Sequence, residues 1–275
     1  SMDLQKIQSC VVPGDNIEQQ GSDWKLGEVI VPAGTRVGAR EMALLFEAGV
    51  KRVAGWASPR VAVVATGSEI TQEADGLSSG FRRCSNASYI AALMSRIDVT
   101  DIRTIVVPDD IRQLTRTLVE LDAVCDVIIT VGGTGKGKRD YTRQAVSDAG
   151  GVFVGHDTQL DSPFVTARLP HAGLIGLPGN PLAVMMIVQC VLLESVRSVF
   201  HLPEAPAQTV EAIMTEDIEA GICGELCVNV NESAAKPLIK GTGRMRVFDS
   251  ARGFVRLNGQ GIKRGERVRV ELFRN

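Results

Sequence analysis

The chain has 275 residues, of which 44% are hydrophobic and 23% charged, so it holds ample material for a true core. A formal net charge of -2 and only 4% aromatic residues exclude the global basic field and the base-stacking platform that a nucleic-acid partner would require. Its six cysteines are scattered; Cys223 and Cys227 are close together, but no second Cys/His pair stands at zinc-like spacing.

Length alone predicts about two domains, whereas texture along the chain divides it into 1–58, 59–203 and 204–275. The first region is rich in Gly and turn residues. A strand-like run, Glu28 to Val31, precedes Pro32-Ala33-Gly34, and a helix is expected over Arg40 to Ala48. Met42, Leu45 and Phe46 would share one face of that helix, and Gly49 would stop it.

The middle region alternates strand and helix signals. Val61 to Thr66 is a continuous β-favouring run, as expected of a strand buried on both faces. A helix follows near Ser85 to Ile97, then a strand at Ile102 to Val107. Ile111, Leu114, Leu118 and Leu121 mark one helical face, and Val127 to Val131 is a third strand feeding a glycine-rich loop. A further helix begins near Tyr141. Short strands are expected near 152–154, 164–166 and 174–177. Leu182 to Phe200 is the most apolar stretch; Gln189, Glu194 and Arg197 interrupt it, so it reads as a helix buried in the core or at a subunit interface rather than a membrane span. Pro181 would open that helix and Asn180 would cap it.

The tail has the texture of a small all-β domain, with runs at 247–248, 253–257 and 267–273 between Gly-containing turns. The expected architecture is therefore α/β, a mostly parallel sheet with helices on both faces, joined to a small N-terminal segment and an all-β C-terminal domain.

Ligands of a parallel sheet bind at the carboxyl ends of its strands. Four loops fall there: Thr66 to Glu69, Pro108 to Asp110, Gly132 to Asp140, and Leu177 to Pro181. Small residues from Gly132 to Gly137 leave backbone N–H groups free to face an anion, and Lys136, Lys138 and Arg139 add positive charge. Asp140, Glu69, Asp109 and Asp110 would lie at the same rim, where carboxylates beside phosphate suit a bridging hard cation such as Mg²⁺. Asp110 alternatively caps the helix that begins at Ile111.

In this order the motifs Thr66-Gly67-Ser68-Glu69, Ser85-Asn86, Asp109-Asp110, Gly132-Gly133-Thr134-Gly135 through Asp140-Tyr141-Thr142, and Leu177-Pro178-Gly179-Asn180-Pro181 resemble those of the molybdopterin molybdenumtransferases, relatives of the C-terminal part of gephyrin. Pro13 to Ile17, Gly21 to Asp23, Pro32 to Thr35 and the β-rich tail are similar to the flanking parts of that family. The resemblance implies insertion of molybdate into adenylylated molybdopterin, with release of AMP. It implies Asp140, Glu69, Asp109 and Asp110 as catalytic residues, with Asp140, Glu69 and Asp109 holding Mg²⁺. It further implies Gly132, Gly133, Thr134, Gly135, Lys136, Lys138, Ser85, Asn86, Pro178, Gly179, Asn180 and Pro181 around the pterin. A homodimer is implied, with other cofactor-assembly enzymes as partners, while the scattered cysteines read as reduced thiols of a cytoplasmic protein and neither nucleic acid nor membrane is expected.

The chain departs from the family pattern in three places. His156 to Phe164 carries no lysine where a Lys-Pro-Gly-Lys-Pro-like stretch is usual, Cys84 stands where an acid commonly precedes the Ser-Asn pair, and the N-terminal region is short. Two alternatives to the transferase therefore stand: a homologue that binds molybdopterin without turnover, and the sister adenylyltransferase, which has no counterpart to the β-rich tail.

Overall fold

Residues from Val61 to Ala65 are all buried, and this two-sided burial makes them the centre of the molecule's main sheet. A computed structural model describes residues 12–71, 79–134, 141–154, 164–202, 207–238 and 249–274. Strand β1 (Arg60–Thr66) pairs in parallel with both β4 (Asp101–Val107) and β5 (Val127–Val131), and β5 pairs in parallel with β8 (Gly173–Leu177). Beyond β8 lie β7 (Val165–Arg168) and β6 (Val152–Phe153), both antiparallel to their neighbours, giving the order β4-β1-β5-β8-β7-β6.

The strand period of two sends alternate residues to two separate cores. Val61, Val63 and Ala65 pack with α2 (Ser85–Arg96) and the long apolar helix, while Ala62 and Val64 pack with α3 (Ile111–Asp122) and α4 (Thr142–Asp148). Leu114, Leu118 and Leu121 form the buried stripe of α3, as their spacing predicts. Helices thus cover both faces.

The long helix is α5 (Pro181–Ile187), a π-helical turn over Val188–Leu192, and α6 (Leu193–Val199). Its 19 residues are long and apolar enough to cross a membrane. Here that apolarity serves two interiors. Val184, Ile187, Val188, Leu193 and Val196 lie in the core beneath the sheet, and Met185 and Met186 pack on Cys227, Ala251 and Phe254 of the tail. The choice between core and subunit interface is thereby resolved toward the core for these residues. The π turn widens the helix where Gln189 enters the interior. Its amide donates to the Tyr89 hydroxyl at 3.0 Å and the Arg274 carbonyl at 2.8 Å, and accepts from the Arg274 N–H at 3.0 Å.

The tail closes into a barrel in the order β10-β11-β9-β13-β12. Its strands are β9 (Thr209–Met214), β10 (Cys223–Asn231), β11 (Ala234–Pro237), β12 (Gly253–Asn258) and β13 (Arg267–Leu272). The seam between β12 and β13 consists of two residue pairs, Gly253 with Leu272 and Phe254 with Glu271. The expected run at 247–248 lies outside the described residues.

The chain divides into two compact units, 1–55 and 56–275, and the second holds both the main sheet and the barrel. The methionine-lined core between helix and barrel accounts for that. In the first unit α1 (Ala39–Glu47) forms as expected, with the Gly38 N–H donating to Glu41 at 3.0 Å. The expected strand at Glu28 to Val31 does not form. Glu28 instead closes a turn on Lys25, and Val29 is exposed, with no partner strand among the described residues to bury it. Among the described residues of this unit none is buried, so Met42 and Phe46 are exposed as well.

Candidate active site

The carboxyl ends of β1, β4, β5 and β8 open onto one cleft of about 840 Å³. Close backbone approaches bring the four loops together. The Gly132 N–H donates to the Leu177 carbonyl at 2.9 Å, and the Gly67 N–H to the Val107 carbonyl at 3.1 Å. Gly132 has φ +99°, and a Cβ there would lie 2.7 Å from Thr66 Oγ1 and 2.9 Å from the Thr66 carbonyl oxygen. Only glycine meets both demands.

Thr142 ties the far end of the glycine loop back onto its start. Its hydroxyl donates to the Gly132 carbonyl at 3.0 Å and its N–H to the Gly133 carbonyl at 3.1 Å. The first N–H of α4 is thus engaged within the loop. Thr134 is buried at 2% exposure, and its Oγ1 has no hydrogen-bond partner among the described residues. It packs beneath the loop toward Gly176 rather than lining the cleft.

Glu69 and Asp109 both line the cleft. Asp109 is positioned by a reciprocal pair, its Oδ2 accepting from the Ser68 N–H at 3.3 Å while its own N–H donates to Ser68 Oγ at 3.1 Å. Asp110, by contrast, caps α3: its Oδ1 accepts from the Gln113 N–H at 2.8 Å, and it does not line the cleft. Ser85 and Asn86 enter from the first turn of α2, and Asn86 Nδ2 donates to the Gly179 carbonyl at 3.0 Å. Gly179 and Pro181 line the cleft, whereas Pro178 does not. Asn180 is turned to the helix, accepting from the N–H groups of Leu182 at 3.0 Å and Ala183 at 3.2 Å. Gly135, Lys136, Lys138, Arg139 and Asp140 lie outside the described residues, as does most of the lysine-free stretch.

Two cleft residues have no sequence signal of their own. Arg82 and Arg83 form β3 (Arg82–Arg83), which runs parallel to β2 (Ile70–Thr71) and brings both arginines to the cleft wall near Glu69. The anchor is backbone: the Arg82 N–H donates to the Glu69 carbonyl at 2.7 Å and the Cys84 N–H to the Thr71 carbonyl at 3.0 Å. Their only trace in sequence is their place before Cys84-Ser85-Asn86. Cys84 itself forms part of the wall, and burial pushes its thiol up from the ordinary range. Among the described residues, then, two arginines and two carboxylates line one cleft. No group of three or more His, Cys, Asp or Glu side chains suited to a metal occurs among those residues.

A mostly parallel sheet of this order, with glycine loops at its carboxyl edge, defines an α/β fold that binds its ligand at the strand ends. The family described as "probable molybdopterin binding domain" matches residues 62–198. The molybdopterin molybdenumtransferase of Bacillus subtilis is 30% identical over 208 residues, 74% of this chain and 48% of that protein. That of Haemophilus influenzae is 27% identical over 175 residues, 63% of this chain and 43% of that protein. The solved molybdopterin biosynthesis MoeA protein of Pyrococcus horikosii shares the fold, with a TM-score of 0.76 at 24% identity over 90% of this chain and 62% of that one. Residues 62–198 thus match a molybdopterin-binding domain, and the chain is similar to molybdopterin molybdenumtransferases over that domain. It spans about half the length of the curated relatives it matches.

Proposed function

We propose that the cleft binds adenylylated molybdopterin and inserts molybdate into it, releasing AMP. The observation that carries this reading is the meeting of four strand-end loops around two arginines and two carboxylates in one cleft. The backbone of Gly132 and Gly133 lines the cleft at the end of β5, where it would lie against the pterin phosphate. Arg82 and Arg83 would supply positive charge to the anionic substrates, molybdate included, whose negative charge has to be matched inside a cleft. Asn86, by holding the Gly179 carbonyl, would fix the wall opposite the glycine loop.

Mg²⁺ usually takes one or two carboxylates plus substrate phosphate oxygens and water, and Glu69 with Asp109 at one rim fits that pattern. When bound there it would draw charge from the phosphoanhydride. Asp140 is the third proposed ligand. The protein is proposed to act as a cytoplasmic homodimer beside other cofactor-assembly enzymes; the family resemblance supports this, and a sedimentation mass tests the dimer.

The test is AMP release by the purified protein. Release is expected only when adenylylated molybdopterin, molybdate and Mg²⁺ are all present, and Asp140→Asn is expected to lower turnover far more than thermal stability. AMP release that ignores molybdate would overturn the reading. One observation favours a second reading, pterin binding without turnover: a buried thiol, Cys84, lies in the wall where relatives of this type commonly carry an acid. Tight pterin binding with no AMP release under the same conditions would establish it.

A further inference from the structure

Two helices enter the cleft, and they are hydrogen-bonded to each other at two points. Helix α2 lines the cleft with Ser85 and Asn86 from its first turn, and the long helix begins there with Pro181 after Gly179. At that rim Asn86 Nδ2 donates to the Gly179 carbonyl at 3.0 Å. Three residues further along α2, Tyr89 lies on the same helical face as Asn86. Its hydroxyl accepts from Gln189 Nε2 of the long helix at 3.0 Å.

The second bond is set among apolar side chains. Tyr89 packs against the cluster of Met185, Met186, Cys227, Ala251 and Phe254, and Gln189 is 8% exposed on a helix that otherwise buries mostly aliphatic residues. A polar pair in such surroundings costs desolvation, and an apolar pair of the same shape would pack equally well. What the hydrogen bond adds is direction, because it fixes one helix on the other at a set rotation and height. The amide is itself held from behind, donating to the Arg274 carbonyl at 2.8 Å and accepting from the Arg274 N–H at 3.0 Å. Gln189 also lies in the π turn, a local departure from α geometry of the kind that concentrates at functional sites. Burial pushes the Tyr89 phenol up to about 12, with the Gln189 bond opposing, so the side chain stays neutral and acts through its geometry.

We propose that Tyr89 is a positioning residue for the cleft: its bond to Gln189 sets the seat of α2 on the long helix and, through it, the aim of Asn86 at the Gly179 carbonyl. Gln189 is the fixed point, because the Arg274 backbone anchors its amide. This role rests on the reading of the cleft as the pterin site.

The experiment compares the whole 275-residue chain with two variants. Tyr89→Phe removes one oxygen and keeps the ring, and Gln189→Met keeps the side-chain length and removes its polar atoms. In the ligand-free protein the Asn86 side-chain amide is expected to shift its NMR signal and to exchange hydrogen faster in both variants. Each variant is expected to bind adenylylated molybdopterin about fivefold or more weakly. The cycle with Asn86→Ala separates positioning from loosening. Once Asn86 is gone, Tyr89→Phe should weaken binding no further, whereas a loosened core would weaken it in either background. An Asn86 amide unchanged by Tyr89→Phe would overturn the proposal, as would a full effect of Tyr89→Phe on affinity in the Asn86→Ala background. If Gln189→Met fails to fold, Tyr89→Phe alone carries both comparisons. The amide readout needs no ligand, so a protein that binds no pterin would overturn the reading of the cleft alone.

Discussion

Gly132 lies so close to Thr66 that a side chain on it would meet Thr66 Oγ1 at 2.7 Å, joining the ends of two neighbouring parallel strands without a gap. Thr66 Oγ1 in turn donates to the Val131 carbonyl at 3.2 Å, one residue before that glycine. Gly132→Ala therefore meets both a clash with backbone and an unfavourable φ. The substitution is expected to cost about 2–5 kcal/mol, or to displace the loop by an equivalent strain. A lowered urea midpoint together with weakened pterin binding would show it; an unchanged midpoint would mean that the loop yields freely.

Asn86→Ala tests the opposite wall. The bond from Asn86 to the Gly179 carbonyl is partly exposed, so its removal is expected to cost only about 0.5–1.5 kcal/mol of stability. The larger effect should fall on pterin affinity, read by titration of the bound pterin's fluorescence. Equal affinity in wild type and variant would remove Asn86 from the site.

Asp122 is a structural carboxylate at the end of α3. It is 8% exposed and accepts from the N–H groups of His171 at 3.0 Å and Ala172 at 2.8 Å. Asp122→Ala leaves both donors without that acceptor and is expected to cost about 2–3 kcal/mol. Asp122→Asn keeps one acceptor oxygen and should cost less. Urea unfolding with an unchanged m-value distinguishes this loss from a change in the unfolded chain.

Glu225 gives the barrel a pH dependence of predictable sign. Burial raises its pKa, and the nearby charge of Arg256 opposes this without cancelling it. Arg256 lies closer to Glu271, at 2.7 Å, than to Glu225, at 3.3 Å, which explains why the compensation is incomplete. A raised folded-state pKa means that the protonated form is favoured on folding. Its contribution is complete below the unfolded carboxyl value of about 4.3 and is lost as pH rises through the folded value. Glu225→Gln should flatten that part of the stability profile and make the variant at least as stable as wild type at pH 8. A parallel pair of profiles would refute the assignment.

Much of the α/β part was legible because its signals are local. The unbroken run from Val61 to Ala65 reads as a doubly buried strand whatever surrounds it, and the glycines at 132 and 133 declare a tight loop. Strand direction is not local, so nothing in Val165 to Arg168 shows that β7 runs against β8. The run Glu28 to Val31 has strand propensity but no partner, and propensity without pairing does not make a strand. Asp110 carried two readings from the start, cap and catalytic acid, and its bond to the Gln113 N–H puts the side chain on the cap. Arg82 and Arg83 escaped notice because a polar dipeptide in a loop has no periodicity; the backbone pairing to residues 69–71 is what aims it.

The two-pair seam between β12 and β13 has a kinetic consequence. A closed barrel opens most readily where its ladders are shortest, which are β12–β13 and β11–β9 with two residue pairs each, and at the first of these the rest of β12 depends on β10 alone. Amide hydrogens along the open side of Val255 to Leu257 should therefore exchange with solvent by local separation of the two strands, ahead of any global unfolding. The barrel is a ring with two clasps, and one of them closes near Arg274, whose backbone Gln189 of the long helix holds.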